Sequence, residues 1–357
     1  MPRYNRADFI CNFMRKFMQF FILAMLSSVL FVGVSSAREI TDITPPTEKE
    51  LARDNCLLTK LKLAAPHTSV AEIKAACDVE LIPKAFNRGV VSKRVIAERE
   101  VEFNPYVITP HKMNYILPAV VTDSFNQAPY QAVPEFANNF EDIEAKYQIS
   151  LKVPLTADDI FTDNDKLYFG LTVQSWWQIY ANNISKPFRE TNYQPEIMYF
   201  APTDWHPFDG NVAVIVGLEH QSNGRSQLLS RSWNRIYSEI VFEKGNFAAS
   251  LRPWYRIKED NKKTPTSAKG DDNPDILDYM GHFELGLGYK WHHYEFTALG
   301  RQNFATHKGA LELGVTFPLW GKLEGYLQYF SGYGESLIDY NHSQHKVGLG
   351  IALSNYF

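Results

Sequence analysis

The sequence predicts an all-β protein, an antiparallel transmembrane β-barrel of twelve strands with a small extension before it. Three observations carry that reading. First, the chain opens with a charged segment and then an apolar one, Phe20-Phe21-Ile22-Leu23-Ala24-Met25-Leu26, of the export type. Second, segments of about ten residues with alternating apolar and polar side chains recur along the chain. No apolar run after the leader is long enough for a membrane helix. Third, Val347, Leu349, Ile351, Leu353 and Phe357 alternate with Gly348, Gly350, Ala352, Ser354 and Tyr356, so the last strand closes on an aromatic.

The leader comes first. Arg3, Arg6, Arg15 and Lys16 supply positive charge, residues 17–37 carry none, and Ser35-Ser36-Ala37 supplies small residues before Arg38. This predicts a signal peptide over 1–37 with cleavage after Ala37, an uncleaved anchor helix being the other reading. Translation from Met14 or Met18 would shorten the charged preamble. Removing four basic and one acidic residue from 36 and 40 leaves 32 basic and 39 acidic, a net charge of −7. No basic excess points to nucleic acid. Cys11 leaves with the leader, and Cys56 and Cys77 remain. Two cysteines in an exported chain suggest one disulfide, two free thiols being the alternative.

Residues 38–104 are expected to form a small periplasmic extension of short helical or irregular segments, with Val70, Ile73 and Ala76 at helical spacing. The barrel is expected over 105–357. Its strands fall at roughly 109–121, 145–154, 166–179, 192–202, 211–223, 232–244, 247–258, 277–291, 293–303, 309–319, 323–333 and 344–357. Connections such as Lys244-Gly245-Asn246, Lys290-Trp291-His292 and Trp320-Gly321-Lys322 are tight, whereas 122–144, 180–191, 223–231, 259–276, 304–308 and 334–343 are mostly longer and polar. One short rim and one long rim suit an outer-membrane barrel with its long loops outside. An even strand count returns both ends of the barrel to the periplasmic rim. Trp176, Trp177, Trp205, Trp233, Trp254, Trp291 and Trp320 fall near strand ends, where an aromatic girdle would lie.

The chemistry concentrates in 219–235. On the strand 211–223, Val212, Val214, Val216 and Leu218 share the face expected to meet lipid, with Ile215 the exception on the other face. His220 and Ser222 continue that parity. On the next strand Asn234 shares parity with Ile236 and Ile240, while Trp233, Arg235, Tyr237 and Glu239 turn to the lumen. If 220 pairs with 234, then 222 pairs with 232 and residues 223–231 form the outer loop. A histidine beside a serine, oriented by a third polar group, is the layout of nucleophilic catalysis. The competing reading is a polar strand end emerging into water. No G-x-S-x-G is present.

Longer motifs lie around these residues. They are Ser222-Asn223-Gly224-Arg225-Ser226, Ser230-Arg231-Ser232-Trp233-Asn234-Arg235-Ile236-Tyr237, Ser175-Trp176-Trp177-Gln178, Pro187-Phe188-Arg189-Glu190-Thr191-Asn192-Tyr193, Asp271-Asp272-Asn273-Pro274-Asp275 and the run from Ser331 to Asn341. Together they resemble the bacterial outer membrane phospholipase A family over about 105–357. The resemblance implies a calcium-dependent hydrolase of phospholipid and lysophospholipid acyl esters in the outer membrane, active as a homodimer. It implies Ser222 as nucleophile, His220 as general base and Asn234 as the group orienting His220. For calcium in the dimer it implies main-chain oxygens of Arg225 and Ser230 and a serine of the second subunit matching Ser185; for the monomer it implies Asp272. The ion would polarise a water that stabilises the oxyanion, beside the Ser222 N–H. Two departures stand out. Gln227 occupies the place of an acidic residue in the active-site loop, and Val173 that of a polar interface residue. The stretch from Glu259 to Gly270 also lengthens the loop before Asp272.

Other clusters carry less. The His342–His345 spacing, the His292-His293 pair and the acidic Asp158-Asp159 and Asp163-Asn164-Asp165 stretches read as solvated loops. The alternative to an enzyme is a passive barrel. Lumen-facing Glu219, Gln221, Arg235, Tyr237 and Glu239 argue against a wide pore.

Overall fold

The computed structural model describes residues 48–80, 89–101, 103–104, 107–131, 133–321 and 323–354. The predicted signal peptide and the terminal Phe357 lie outside them. Two compact units divide after Leu51. The barrel and the sites described below lie in the second, 52–357. Among the described residues no helix is long and apolar enough to cross a membrane.

The strands are β1 (Thr109–Pro110), β2 (Tyr115–Thr122), β3 (Ile143–Pro154), β4 (Lys166–Trp177), β5 (Phe188–Pro202), β6 (Asn211–Ser222) and β7 (Ser232–Lys244). They continue with β8 (Phe247–Ile257), β9 (Phe283–Trp291), β10 (Tyr294–Asn303), β11 (Lys308–Trp320), β12 (Leu323–Tyr333) and β13 (Ser343–Ala352). Each of β2 to β12 pairs antiparallel with its successor, and β13 returns to β2, closing a twelve-stranded barrel. The two-residue β1 only adds to β3.

All twelve expected strands are present, with shifted ends. The first begins at Tyr115 because Thr109–Pro110 pairs separately with Lys152–Leu151. The eighth begins at Phe283 because Ile276–Met280 forms a short helix that buries Ile276 and Met280. The fourth starts earlier than expected, at Phe188.

Side-chain parity gives the barrel its inside-out character. Leu218 is 51% exposed and its neighbour Glu219 1%. Val216, Ile236, Ile240, Leu285, Leu287, Leu311 and Leu313 likewise stand exposed on the outer wall. An apolar exterior with buried carboxylates inside is the membrane-barrel arrangement. Val212 departs from the expected outer stripe and is buried; its carbonyl accepts from Thr203 of the turn after β5, and Phe242 is its cross-strand partner. The tryptophans also divide. Trp176, Trp233 and Trp254 are buried, the last two in a T-shaped pair, while Trp205, Trp291 and Trp320 are exposed at the short-turn rim. Only the second group can serve a girdle, because strand parity, not nearness to a strand end, decides which wall a ring faces.

The lumen is filled by paired charges. Glu196 lies 2.9 Å from His111 Nε2 and accepts from Tyr237 at 2.5 Å and Arg252 at 3.2 Å. Arg252 also donates to Glu219 at 2.8 Å, and Arg235 pairs with Glu219. Towards the long-loop rim Arg189 grips Glu144 through two bonds of 2.8 and 2.9 Å and reaches Asp339 at 2.7 Å. Lys146 and Lys346 share Glu335. Buried charges persist where each has such a partner, and these pairs cross-brace the interior.

Among the described residues three helices precede the barrel: α1 (Glu48–Leu63), α2 (Val70–Glu80) and α3 (Val90–Val101). A capping box opens α2, Ser69 Oγ accepting from Glu72 N–H and Glu72 Oε2 from Ser69 N–H. The Cys56–Cys77 disulfide joins α1 to α2. α3 lies against the short-turn rim. Its first turn donates Val91 and Ser92 N–H groups to the buried Glu243 carboxylate at 2.7 and 3.1 Å, which suits the positive end of a helix. Val90 N–H donates to Gly245, Arg94 to the Pro110 and His111 carbonyls, and Lys152 pairs with Glu98.

Candidate active site on the outer wall

β6 runs from the short-turn rim to the long-loop rim and pairs with β7 so that His220 stands opposite Asn234 and Ser222 opposite Ser232. His220 is exposed, and Ser222 and Asn234 are half-buried. His220 Nδ1 lies 2.8 Å from Asn234 Oδ1. The amide oxygen accepts only if Nδ1 carries the hydrogen, so this contact leaves Nε2 with its lone pair. Ser222 shares the face, flanked by Tyr193 on β5. Among the described residues its hydroxyl makes no hydrogen bond to His220. Such contacts commonly tighten only when substrate binds.

The loop after Ser222 is held from beneath. Asn223, buried, accepts from the Arg225 and Arg231 N–H groups at 3.2 and 3.0 Å and donates to the Leu229 carbonyl at 2.8 Å and to Glu190 at 3.3 Å. Gly224 turns the chain at φ 61°, where a side chain would be strained. Gln227 also has positive φ, at the head of the short 3-10 turn Gln227–Leu229. The Arg225 guanidinium donates to the Phe188 and Arg189 carbonyls. The Ser230 carbonyl accepts from Arg231 at 2.7 Å.

Asp272 comes to the same rim from the loop after β8. It accepts from the Ser230 hydroxyl at 2.6 Å and the Ser232 hydroxyl at 3.4 Å, and it pairs with Lys262. Asn273, fully buried, accepts from Ser232 N–H at 3.1 Å. Burial, aided by the Asp275 carboxylate that accepts its proton at 2.6 Å, pushes the Tyr340 phenol up, so it stays a donor beside this loop. The structure thus brings Ser222, His220, Asn234, Ser230, Asp272 and the 223–231 loop to one stretch of rim. Ser185 is exposed in a separate loop and is not hydrogen-bonded to them among the described residues.

Three residues here had no role assigned from the sequence. Asn223 knits the loop, Lys262 neutralises Asp272, and Glu259 Oε1 accepts from Asn234 Nδ2 at 3.0 Å. Only Glu259 left a signal: it continues the parity of Ile257, the cross-strand partner of Asn234.

Several known proteins are similar to this chain in sequence and in fold. Phospholipase A1 of Escherichia coli (strain K12) is 38% identical over 272 residues, 76% of this chain and 88% of the relative. A calcium-bound dimer of the Salmonella typhi outer membrane phospholipase matches with a TM-score of 0.65 at 37% identity, covering 71% of this chain and 94% of that one. An asparagine-to-alanine active-site mutant of Escherichia coli outer membrane phospholipase A matches with a TM-score of 0.65 at 37% identity, covering 71% of this chain and 95% of that one. The family model for phospholipase A1 matches residues 91–353. The chain belongs to the phospholipase A1 family, outer-membrane β-barrels that hydrolyse phospholipid esters.

Proposed function

We propose that this chain hydrolyses phospholipid acyl esters, and lysophospholipids as well, at the outer leaflet through Ser222, His220 and Asn234. The observation that carries the reading is the 2.8 Å contact from His220 Nδ1 to Asn234 Oδ1 on the outward face that Ser222 shares. Ser222 Oγ attacks the acyl carbonyl while its proton passes to His220 Nε2. Collapse of the tetrahedral adduct breaks the ester bond, and the imidazolium returns the proton to the departing alcohol oxygen. Water, deprotonated by the same nitrogen, then releases the fatty acid from the acyl-enzyme. Asn234 holds the tautomer without a charge of its own. The active residues face outward, so lipid in the membrane reaches them without entering the barrel.

The calcium-bound Salmonella typhi dimer supports calcium and a homodimer here too. The main-chain oxygens of Arg225 and Ser230, with the partner's Ser185, are hard donors of the type calcium takes. When bound, the ion would add positive charge near the developing oxyanion. Asp272 fits a second ion poorly, because Lys262 already balances its carboxylate and Gln227 adds no charge. The proposed organisation is a signal peptide over 1–37, a periplasmic extension over 38–104 and the catalytic barrel over 105–357, both termini being periplasmic.

The test is Ser222→Ala in the full chain. Lipid hydrolysis should vanish while the barrel keeps its heat-modifiable mobility on electrophoresis; undiminished hydrolysis ends the assignment. EDTA should silence the wild type, and activity surviving chelation removes calcium from the mechanism.

A further inference from the structure

We propose that Glu259 is a positioning residue for hydrolysis, acting through Asn234; the proposal rests on the Ser222–His220–Asn234 reading above. β8 pairs with β7 so that Ile257 stands opposite Asn234. Two residues further the chain returns to the same wall. The Glu259 carboxylate there accepts from Asn234 Nδ2 at 3.0 Å, while Asn234 Oδ1 faces His220 Nδ1 at 2.8 Å.

The chemistry of the amide makes this contact consequential. The two ends of an asparagine side chain have nearly the same shape, and only their hydrogen-bond partners choose between the two orientations. With His220 as the sole partner, a flipped amide could donate from Nδ2 to a bare Nδ1. That would leave the hydrogen on Nε2, the nitrogen needed to take the Ser222 proton. An ionised carboxylate accepts and cannot donate. With Glu259 in place a flip would set Oδ1 against a carboxylate oxygen. Glu259 therefore admits one amide orientation, and that orientation admits the tautomer a base requires.

The segment that carries Glu259 is tied down on both sides. Arg256 donates to Asp271 at 2.6 Å, the Asp271 N–H donates to the Asp260 carbonyl at 2.8 Å, and Asn261 bridges to Asp271. Lys262 pairs with Asp272, which takes the Ser230 and Ser232 hydroxyls at the start of β7. The polar stretch from Glu259 to Gly270 thus ties back onto the strand that bears Asn234.

The test compares Glu259→Ala and Glu259→Gln, each alone and combined with Asn234→Ala, with Ser222→Ala as control. Full-length protein in mixed micelles with calcium is assayed for kcat and KM. Glu259→Ala should lower kcat by roughly tenfold with KM unchanged, and should cost nothing further once Asn234 is alanine. Glu259→Gln keeps the side chain's size but can present either end, so its kcat should also fall, by about threefold. If the alanine variant loses heat-modifiable folding, the glutamine variant and its double mutant carry the same comparison. Wild-type kcat in the folded variants overturns the proposal, as does an equal loss with and without Asn234. An inert Ser222→Ala beside fully active Glu259 variants refutes this role alone. A fully active Ser222→Ala refutes the catalytic reading and this role with it.

Discussion

Replacing Asn234 by alanine tests how much of the chemistry depends on the orientation of one imidazole. The alanine removes the acceptor 2.8 Å from His220 Nδ1 and the donor to Glu259. In the transition state the imidazole gains a proton, so the lost bond is charge-assisted and is worth about 2 kcal/mol. At about 1.4 kcal/mol per factor of ten, kcat should fall by roughly 30-fold. KM should hardly move, because the interaction forms fully only as charge develops. Asn234→Asp should not rescue the loss. A carboxylate there would stand near 3.0 Å from Glu259 Oε1, and two carboxylates that close do not both ionise. The assay is hydrolysis of a chromogenic phospholipid in mixed micelles with calcium, on protein whose heat-modifiable mobility matches the wild type. A rate within twofold of wild type for Asn234→Ala, with Ser222→Ala inert, would show that His220 is oriented by something else.

Two further outcomes follow from contacts outside the triad. Glu243→Ala strips a buried acceptor from the Val91 and Ser92 N–H groups and from Asn211 Nδ2, at 2.7, 3.1 and 2.9 Å. The loss should destabilise the docking of α3 by about 2–4 kcal/mol, read as earlier proteolysis between residues 89 and 101, and unchanged protection would refute it. Lys262→Ala leaves Asp272 without its counter-ion. Calcium should then raise the melting temperature of the variant more than that of the wild type, and equal shifts would mean that Lys262 does not hold off a cation.

Much of the barrel was legible because a closed sheet in lipid leaves a simple periodic trace. Alternation, a short rim and a long rim located all twelve strands, and they missed mainly at ends that depend on helices and turns. The helix Ile276–Met280 is one such case, since its burial depends on neighbours distant in sequence. Tryptophan placement failed for a related reason: Trp233 and Trp254 lie near strand ends but point inward and meet edge to face. In the extension only α1 and α2 were visible, as loose helical spacing; α3 was not read, because it is held by Glu243, Gly245 and Lys152 from three separate strands and turns.

The sequence by itself determined the barrel and the outward face of His220, Ser222 and Asn234; it offered the pairing of 220 with 234 only as a condition, which the register of β6 on β7 meets. Strand parity is local, and one pairing fixes the rest of a hairpin. Only the tertiary structure decided what surrounds that face. Glu259 reaches Asn234 and Lys262 reaches Asp272 because a polar loop after β8 folds back onto β7. Loop closure carries no periodic trace, so a chain can specify a catalytic wall plainly and leave its supporting contacts to be read only once folded.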